Sequence, residues 1–196
     1  MKIFLIRHGE TTGDVEDRFG GDYDDHLTEN GILQSRALAK KLQDKGIEII
    51  FVSPRIRAKE TAEIVRRGLN IPIEVIEDLR ERNSYGVLTG LTKVEAKDKH
   101  PVDFEKISKD KVYHDVTDSE SYDEIKQRAI NVFNEILAKD YKTIAIISHG
   151  GVISTYVREV LAKGKNVHLG DCAILEVTKD DQNLALNCFD KAELKD

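Results

Sequence analysis

Short apolar runs that alternate with longer amphipathic ones constrain this chain more than any other feature. Residues 2–6 and 47–52 read as strands, each followed by a helical pattern, at 28–45 and 57–67. A strand at 72–76, a long helix at 119–139, a nearly continuous apolar strand at 143–147 and a helix at 151–162 continue the rhythm. Such an order predicts an α/β fold, a three-layer αβα sandwich whose mostly parallel central sheet is covered on both faces. Residues 173–178 and 184–189, joined by the polar turn 179–183, predict a C-terminal hairpin and so an antiparallel edge strand. Between 78 and 118 the pattern is mixed and rich in lysine and carboxylates, with one short helix at 93–99. That stretch reads as an inserted, lid-like subdomain within a single domain of 1–196.

Composition narrows the function by exclusion. A formal charge of −6 gives no general attraction for nucleic acid or an acidic membrane, so any positive charge that matters must be local. No apolar run reaches membrane-spanning length, and residues 2–6 run directly into a polar segment unlike a signal peptide; a cytoplasmic location is expected. Cys172 and Cys188 stand apart from any zinc or redox spacing and read as buried small hydrophobes. Neither cofactor nor metal is expected: no carboxylate–histidine cluster has metal-ligand spacing.

Three segments fall where loops leave the carboxyl ends of predicted strands, the rim on which open parallel sheets bind ligands. They are Arg7-His8-Gly9-Glu10-Thr11, Ser53-Pro54-Arg55-Ile56-Arg57-Ala58 and Ser148-His149-Gly150-Gly151. Each has a plain structural reading taken singly: a capping pair, a helix start, a tight turn. Their coincidence at three strand ends is what implies function. Two histidines and at least two arginines would meet there, a phosphate site by composition, with arginine as bidentate donor and histidine as nucleophile or donor. Gly150 and Gly151 open the following helix, whose free N–H groups also favour an anion.

These residues resemble the histidine phosphatase (phosphoglycerate mutase-like) superfamily. The first segment looks like its signature, Ser53-Pro54 with Arg57-Ala58 and Thr61-Ala62-Glu63 like its second motif, and Leu79-Arg80-Glu81-Arg82, Glu120-Ser121 with Arg128, and Ser148-His149-Gly150-Gly151 recur in family order. The resemblance implies that His8 becomes phosphorylated while Arg7, Arg57 and His149 surround the transferring oxygens. It implies that Glu81 is the proton donor, with Glu77 as fallback because the spacing from Glu81 to Tyr85-Gly86 is one residue longer than in the mutase branch. Thr11, Arg18 and Gly21 match positions lining the substrate pocket. Asp14 stands where the family usually has asparagine, and its carboxylate would repel a phosphate rather than donate to it.

Hydrolysis of a small phosphorylated metabolite is the favoured activity, because residues 92–118 hold lysines but no arginine to grip a second anion rigidly. The alternatives are a cofactor-dependent phosphoglycerate mutase, a fructose-2,6-bisphosphatase-like sugar phosphatase and a non-catalytic phospho-ligand-binding module. Lys106, Lys109 and Lys111 read as solvated surface, and the hairpin edge leaves a homodimer open.

Overall fold

The computed structural model describes residues 1–110, 116–181 and 183–195, with the side chains of 108–110 left aside. Six strands form one sheet in the order β3-β2-β4-β1-β5-β6. They are β1 (Lys2–Arg7), β2 (Ile49–Val52), β3 (Ile73–Val75), β4 (Thr143–Ser148), β5 (Asn166–Asp180) and β6 (Asn183–Lys195). The first four in that order run parallel; β5 and β6 are antiparallel to their neighbours. The expected C-terminal hairpin is thus present as β5 and β6, with the antiparallel β6 at the edge.

Alternate residues of each central strand enter opposite cores, as the pleat requires. Ile3, Leu5, Phe51, Ile144 and Ile146 pack with Phe133 and Tyr156 on one side, beneath α6 (Tyr122–Leu137) and α7 (Gly150–Tyr156). Phe4, Ile6, Ile50, Val52 and Ile147 pack with Leu38, Ala62 and Val65 on the other, beneath α2 (Glu29–Leu42) and α3 (Ile56–Leu69). Burial on both faces explains why these strands read as continuous apolar runs. Caps set the helix starts. Thr28 accepts from the Gly31 N–H, and Ser121 forms a capping box with Glu124, which begins α6 three residues later than periodicity suggested.

Register carries the functional consequence. β4 lies between β1 and β2, with Arg7 opposite Ser148 and Val52 opposite Ile147. His8, His149 and Ser53, each the next residue along, consequently leave the sheet side by side.

Several expectations need correction. The helix expected at 151–162 is α-helical only to Tyr156 and continues as a π-helical turn, Val157–Leu161. β5 begins at Asn166, since residues 166–169 pair with β6 beyond the reach of β1. Cys172 is buried but Cys188 is exposed, because β6 is an edge strand. Two helices had no clear periodic signal: α1 (Thr12–Val15), and α5 (Pro101–Asp110), which follows α4 (Lys93–Lys99). Leu88, Ala96 and Val116 build a small separate core around Phe19, tying their segments to the loop after α1. Lys106 pairs with Asp103; the Lys109 side chain and Lys111 lie outside the described residues. Among those, no helix is long and apolar enough to cross a membrane.

Candidate active site

His8 follows β1 and is only 5% exposed. Its Nδ1 lies 2.8 Å from the Gly9 carbonyl, which accepts a proton but cannot give one, so the network assigns the proton to Nδ1 and leaves the Nε2 lone pair outward. Arg57 Nε donates to that Nε2 at 3.2 Å. The chain presents His8 here because its β1 loop lies hard against α2: a Cβ at Gly31 would collide with the Glu10 backbone.

Arg57 sits on the buried face of α3, where an unpaired guanidinium would be costly. Its Nη1 donates to Asp25 Oδ1 at 2.8 Å and to the Tyr23 carbonyl at 2.7 Å, and its Nη2 to the Gly21 carbonyl at 2.9 Å. Arg7 donates to the Leu169 carbonyl at 2.8 Å and faces Asp171 at 3.4 Å and Asp14 at 3.8 Å.

The rings of His8 and His149 meet edge to face with centroids 5.1 Å apart. His149 Nε2 is 2.6 Å from Ser53 Oγ, which already accepts from the Arg55 N–H. With the Ser53 hydroxyl assigned as donor to Nε2, the His149 proton lies on Nδ1, a buried atom with no protein partner. A buried polar group left in that state is costly unless a ligand answers it. Burial, then Arg57 and Arg7, hold the His8 imidazole well below its ordinary value. Burial, then Arg57, His8, Arg7 and Arg55, do the same for His149. Both rings are neutral at neutral pH.

Glu81 is delivered by clamps on the chain before it. Arg128, held bidentately by Glu120, donates to the Asp78 and Arg80 carbonyls, and Ser148 Oγ donates to that of Leu79. The Glu81 carboxylate accepts from the Gly151 and Arg82 N–H groups. Gly151 must be glycine for this, since a Cβ there would stand 2.5 Å from Glu81 Oε1. Gly151 thus holds Glu81 rather than offering its N–H to an anion. Glu77, the fallback, is 70% exposed and reaches Arg55 instead.

A cavity of about 80 Å³ is lined by Arg7, His8, Asp14, Arg18, Arg57 and Glu81 among others. That is far below the few hundred Å³ of a whole-ligand pocket, and suits one small anionic group. A wider groove of about 720 Å³ between Arg80, Glu120, Arg128 and Glu135 contains neither histidine.

The remaining expected residues take other parts. Thr11 and Asp14 cap α1 reciprocally, with Asp14 Oδ2 accepting from the Thr11 N–H and Oγ1 at 2.9 Å each. Arg18 is bound to Glu16, Glu95 and the Gly90 carbonyl. Gly21 serves through its carbonyl on Arg57. Gly150 opens α7 beside Arg7, whose Nε would lie 4.0 Å from a Cβ there. Asp25, Asp171 and the hydroxyl of Ser53 were not foreseen as partners. Asp25 lies in the acidic run Asp22-Tyr23-Asp24-Asp25, where nothing local marks one carboxylate as buried.

Comparison with known proteins places this geometry in context. The family model of the histidine phosphatase superfamily (branch 1) matches residues 3–190. The metal-independent phosphoserine phosphatase of Arabidopsis thaliana is 32% identical over 164 residues, 80% of this chain and 68% of that protein. Bacillus stearothermophilus YhfR superposes with a TM-score of 0.79 at 28% identity over 94% of each chain. The alpha-ribazole phosphatase from Shigella flexneri superposes at 0.82 with 22% identity over 95% of each, a likeness of fold alone.

Proposed function

Because the chain belongs to the histidine phosphatase superfamily, we propose that it hydrolyses small phosphomonoesters through a phosphohistidine formed on His8, without a metal ion. One observation carries this reading: two buried neutral imidazoles 5.1 Å apart, with the Arg57 Nε–H resting 3.2 Å away on the unprotonated His8 Nε2, ready to pass to a phosphoryl oxygen as that nitrogen attacks. Nothing in that arrangement needs to be deprotonated before attack.

His8 Nε2 attacks phosphorus while the P–O bond to the leaving alcohol breaks. The imidazole becomes cationic, and its Nδ1–H bond to the Gly9 carbonyl disperses that charge. Arg57, Arg7 and the His149 Nδ1–H donate to the three equatorial oxygens, where charge develops. Glu81 gives its proton to the leaving oxygen. Glu81 then takes a proton from water, which attacks phosphorus and breaks the P–N bond, releasing inorganic phosphate and neutral His8. Fixed cationic donors supply the charge stabilisation that a Lewis acid supplies elsewhere.

The substrate carries one anionic group at the reacting end. The cavity of about 80 Å³ has room for one small anionic group, and residues 92–118 contain no arginine to grip a second. Both facts favour hydrolysis of a monoester over mutase or bisphosphatase chemistry. Phosphoserine, the substrate named for the Arabidopsis relative, is the first ester to assay.

The test mixes the protein with a chromogenic phosphomonoester in excess EDTA and looks for acid-labile, base-stable phosphorylation. Turnover and label are expected in the wild type and neither in His8→Ala. Turnover that survives His8→Ala, or that EDTA removes and magnesium restores, would sink the scheme.

A further inference from the structure

The three guanidiniums that line the cavity are each matched before any ligand arrives. Arg57 faces Asp25, Arg18 faces Glu16 and Glu95, and Arg7 faces both Asp14 and Asp171. Neither imidazole contributes charge, so nothing further is added to the arginines already faced by carboxylates. The site thus offers well-aimed donors but no surplus of positive charge, while a phosphate ester is a dianion above pH of about 6.

Asp14 is the carboxylate with the freedom to matter. Both Asp25 oxygens are engaged, by Arg57 and by the Tyr23 hydroxyl. Asp171 faces Arg7 but is not part of the cavity wall. Asp14 lines the cavity and uses Oδ2 to cap α1, leaving Oδ1 toward Arg7, the guanidinium an incoming oxygen must also meet. The groups around it are Arg7 from β1, His8 after it, Thr11 and Arg18 on either side of α1, Tyr23 and Asp25 in the next loop, Arg57 from α3, Glu81, and Asp171 from β5 with Glu10 behind. Tyr23, pushed up to about 12 chiefly by burial, stays neutral.

On the phosphate site proposed above, we infer that Asp14 is a specificity-determining residue that makes the site select the singly charged phosphoryl group. A dianion is accepted only with a proton placed between one of its oxygens and the Asp14 carboxylate. Proton uptake is then stoichiometric with binding above pH of about 6, and kcat/KM falls as pH rises through that value. Asp14→Asn keeps an oxygen for the Thr11 cap and converts the other position into an N–H donor, so it removes the requirement without removing the cap.

Inorganic phosphate is the probe, titrated by calorimetry at pH 5.5 and pH 8.0 in buffers of differing ionisation enthalpy, on wild type, Asp14→Asn and Asp171→Asn. Asp14→Asn is expected to bind phosphate about 10-fold more tightly than wild type at pH 8.0, a 1.4 kcal/mol effect, and to match it within about 2-fold at pH 5.5. It should also take up about one proton fewer per phosphate at pH 8.0, whereas Asp171→Asn keeps the wild-type proton count. Asp14→Ser repeats the comparison should Asp14→Asn unfold. Equal or weaker binding by both Asp14 variants at pH 8.0, an unchanged proton count, or transfer of the effect to Asp171→Asn overturns the inference. Proton-linked phosphate binding without ester turnover would instead overturn the catalytic reading and leave this one standing; no phosphate binding at either pH overturns both.

Discussion

Replacing Asp25 and Arg57 separately and together tests whether the site's chief cation is also a structural liability. The pair meets at 2.8 Å with side chains only 7% and 4% exposed. Breaking such a pair by removing one partner typically costs 3–5 kcal/mol, because the survivor is a buried, uncompensated charge. Here the Gly21 and Tyr23 carbonyls still accept from Arg57 when Asp25 is gone, so Asp25→Leu should cost less, about 2–4 kcal/mol. Arg57→Met strands the Asp25 carboxylate and should cost a similar amount. The double variant strands neither and should lie within about 1–2 kcal/mol of wild type, giving a coupling energy of at least about 2 kcal/mol in a urea-denaturation cycle. Activity must behave differently: Arg57→Met and the double variant should both lose about 10²–10³ in kcat, since neither has the donor beside His8 Nε2. Additive stabilities, or activity recovered in the double variant, would refute the argument.

Other outcomes follow from the same geometry. Both buried imidazoles titrate below 6.5, so between the folded values and 6.5 the unfolded chain binds more protons and stability rises with pH. The unfolding free energy from denaturant titrations should therefore fall as pH drops below 6.5, by about 1.4 kcal/mol per pH unit for each ring. His8→Gln should remove about half of that slope; a profile flat from pH 6.5 to 4.5 would contradict the burial. Glu81→Gln keeps an acceptor for Gly151 and should fold normally, yet lose about 10²–10⁴ in kcat toward esters of poor leaving groups. Esters of acidic phenols, which leave without a proton, should be much less affected in the same assay. Ser121→Ala removes the α6 cap and should cost about 1 kcal/mol in thermal unfolding with kcat unchanged.

The parts of this molecule legible in its sequence are those set by periodicity. β1, β2 and β4 announce themselves because burial on both faces leaves no polar position, and the residues following them are placed by register alone. His8, His149 and Arg57 were accordingly found from strand ends. What holds them was not legible: Asp25 reaches Arg57 across 32 residues and Arg128 reaches the Arg80 carbonyl across 48, and sequence carries no distance between such points. α5 escaped notice because it is short, begins at Pro101 directly after α4, and, among the described residues, packs only Phe104 and Ile107 against the small core. The π-helical turn after Tyr156 escaped because its residues keep an ordinary helical pattern, and bonds such as that from the Ala162 N–H to the Val157 carbonyl leave no mark in the sequence.

A site that must stabilise a highly charged transition state gains nothing from donors that first have to find their places. The side chains that carry the donors are held largely by atoms that take no part in the proposed reaction: carbonyls of Leu169, Tyr23 and Gly21, carboxylates of Asp25 and Asp171, the hydroxyl of Ser53. Such partners fix orientation, so on the proposed mechanism little reorganisation remains when charge develops on the phosphoryl oxygens. The same carboxylates cancel the field that would draw a dianion in, and this trades ground-state affinity for aim. Binding that is weak in the ground state and strong only when oxygens reach the donors' positions raises kcat rather than lowering KM. Loosening one holder, as in Asp171→Asn, should then lower kcat more than it changes KM, the opposite of what a simple docking charge would do.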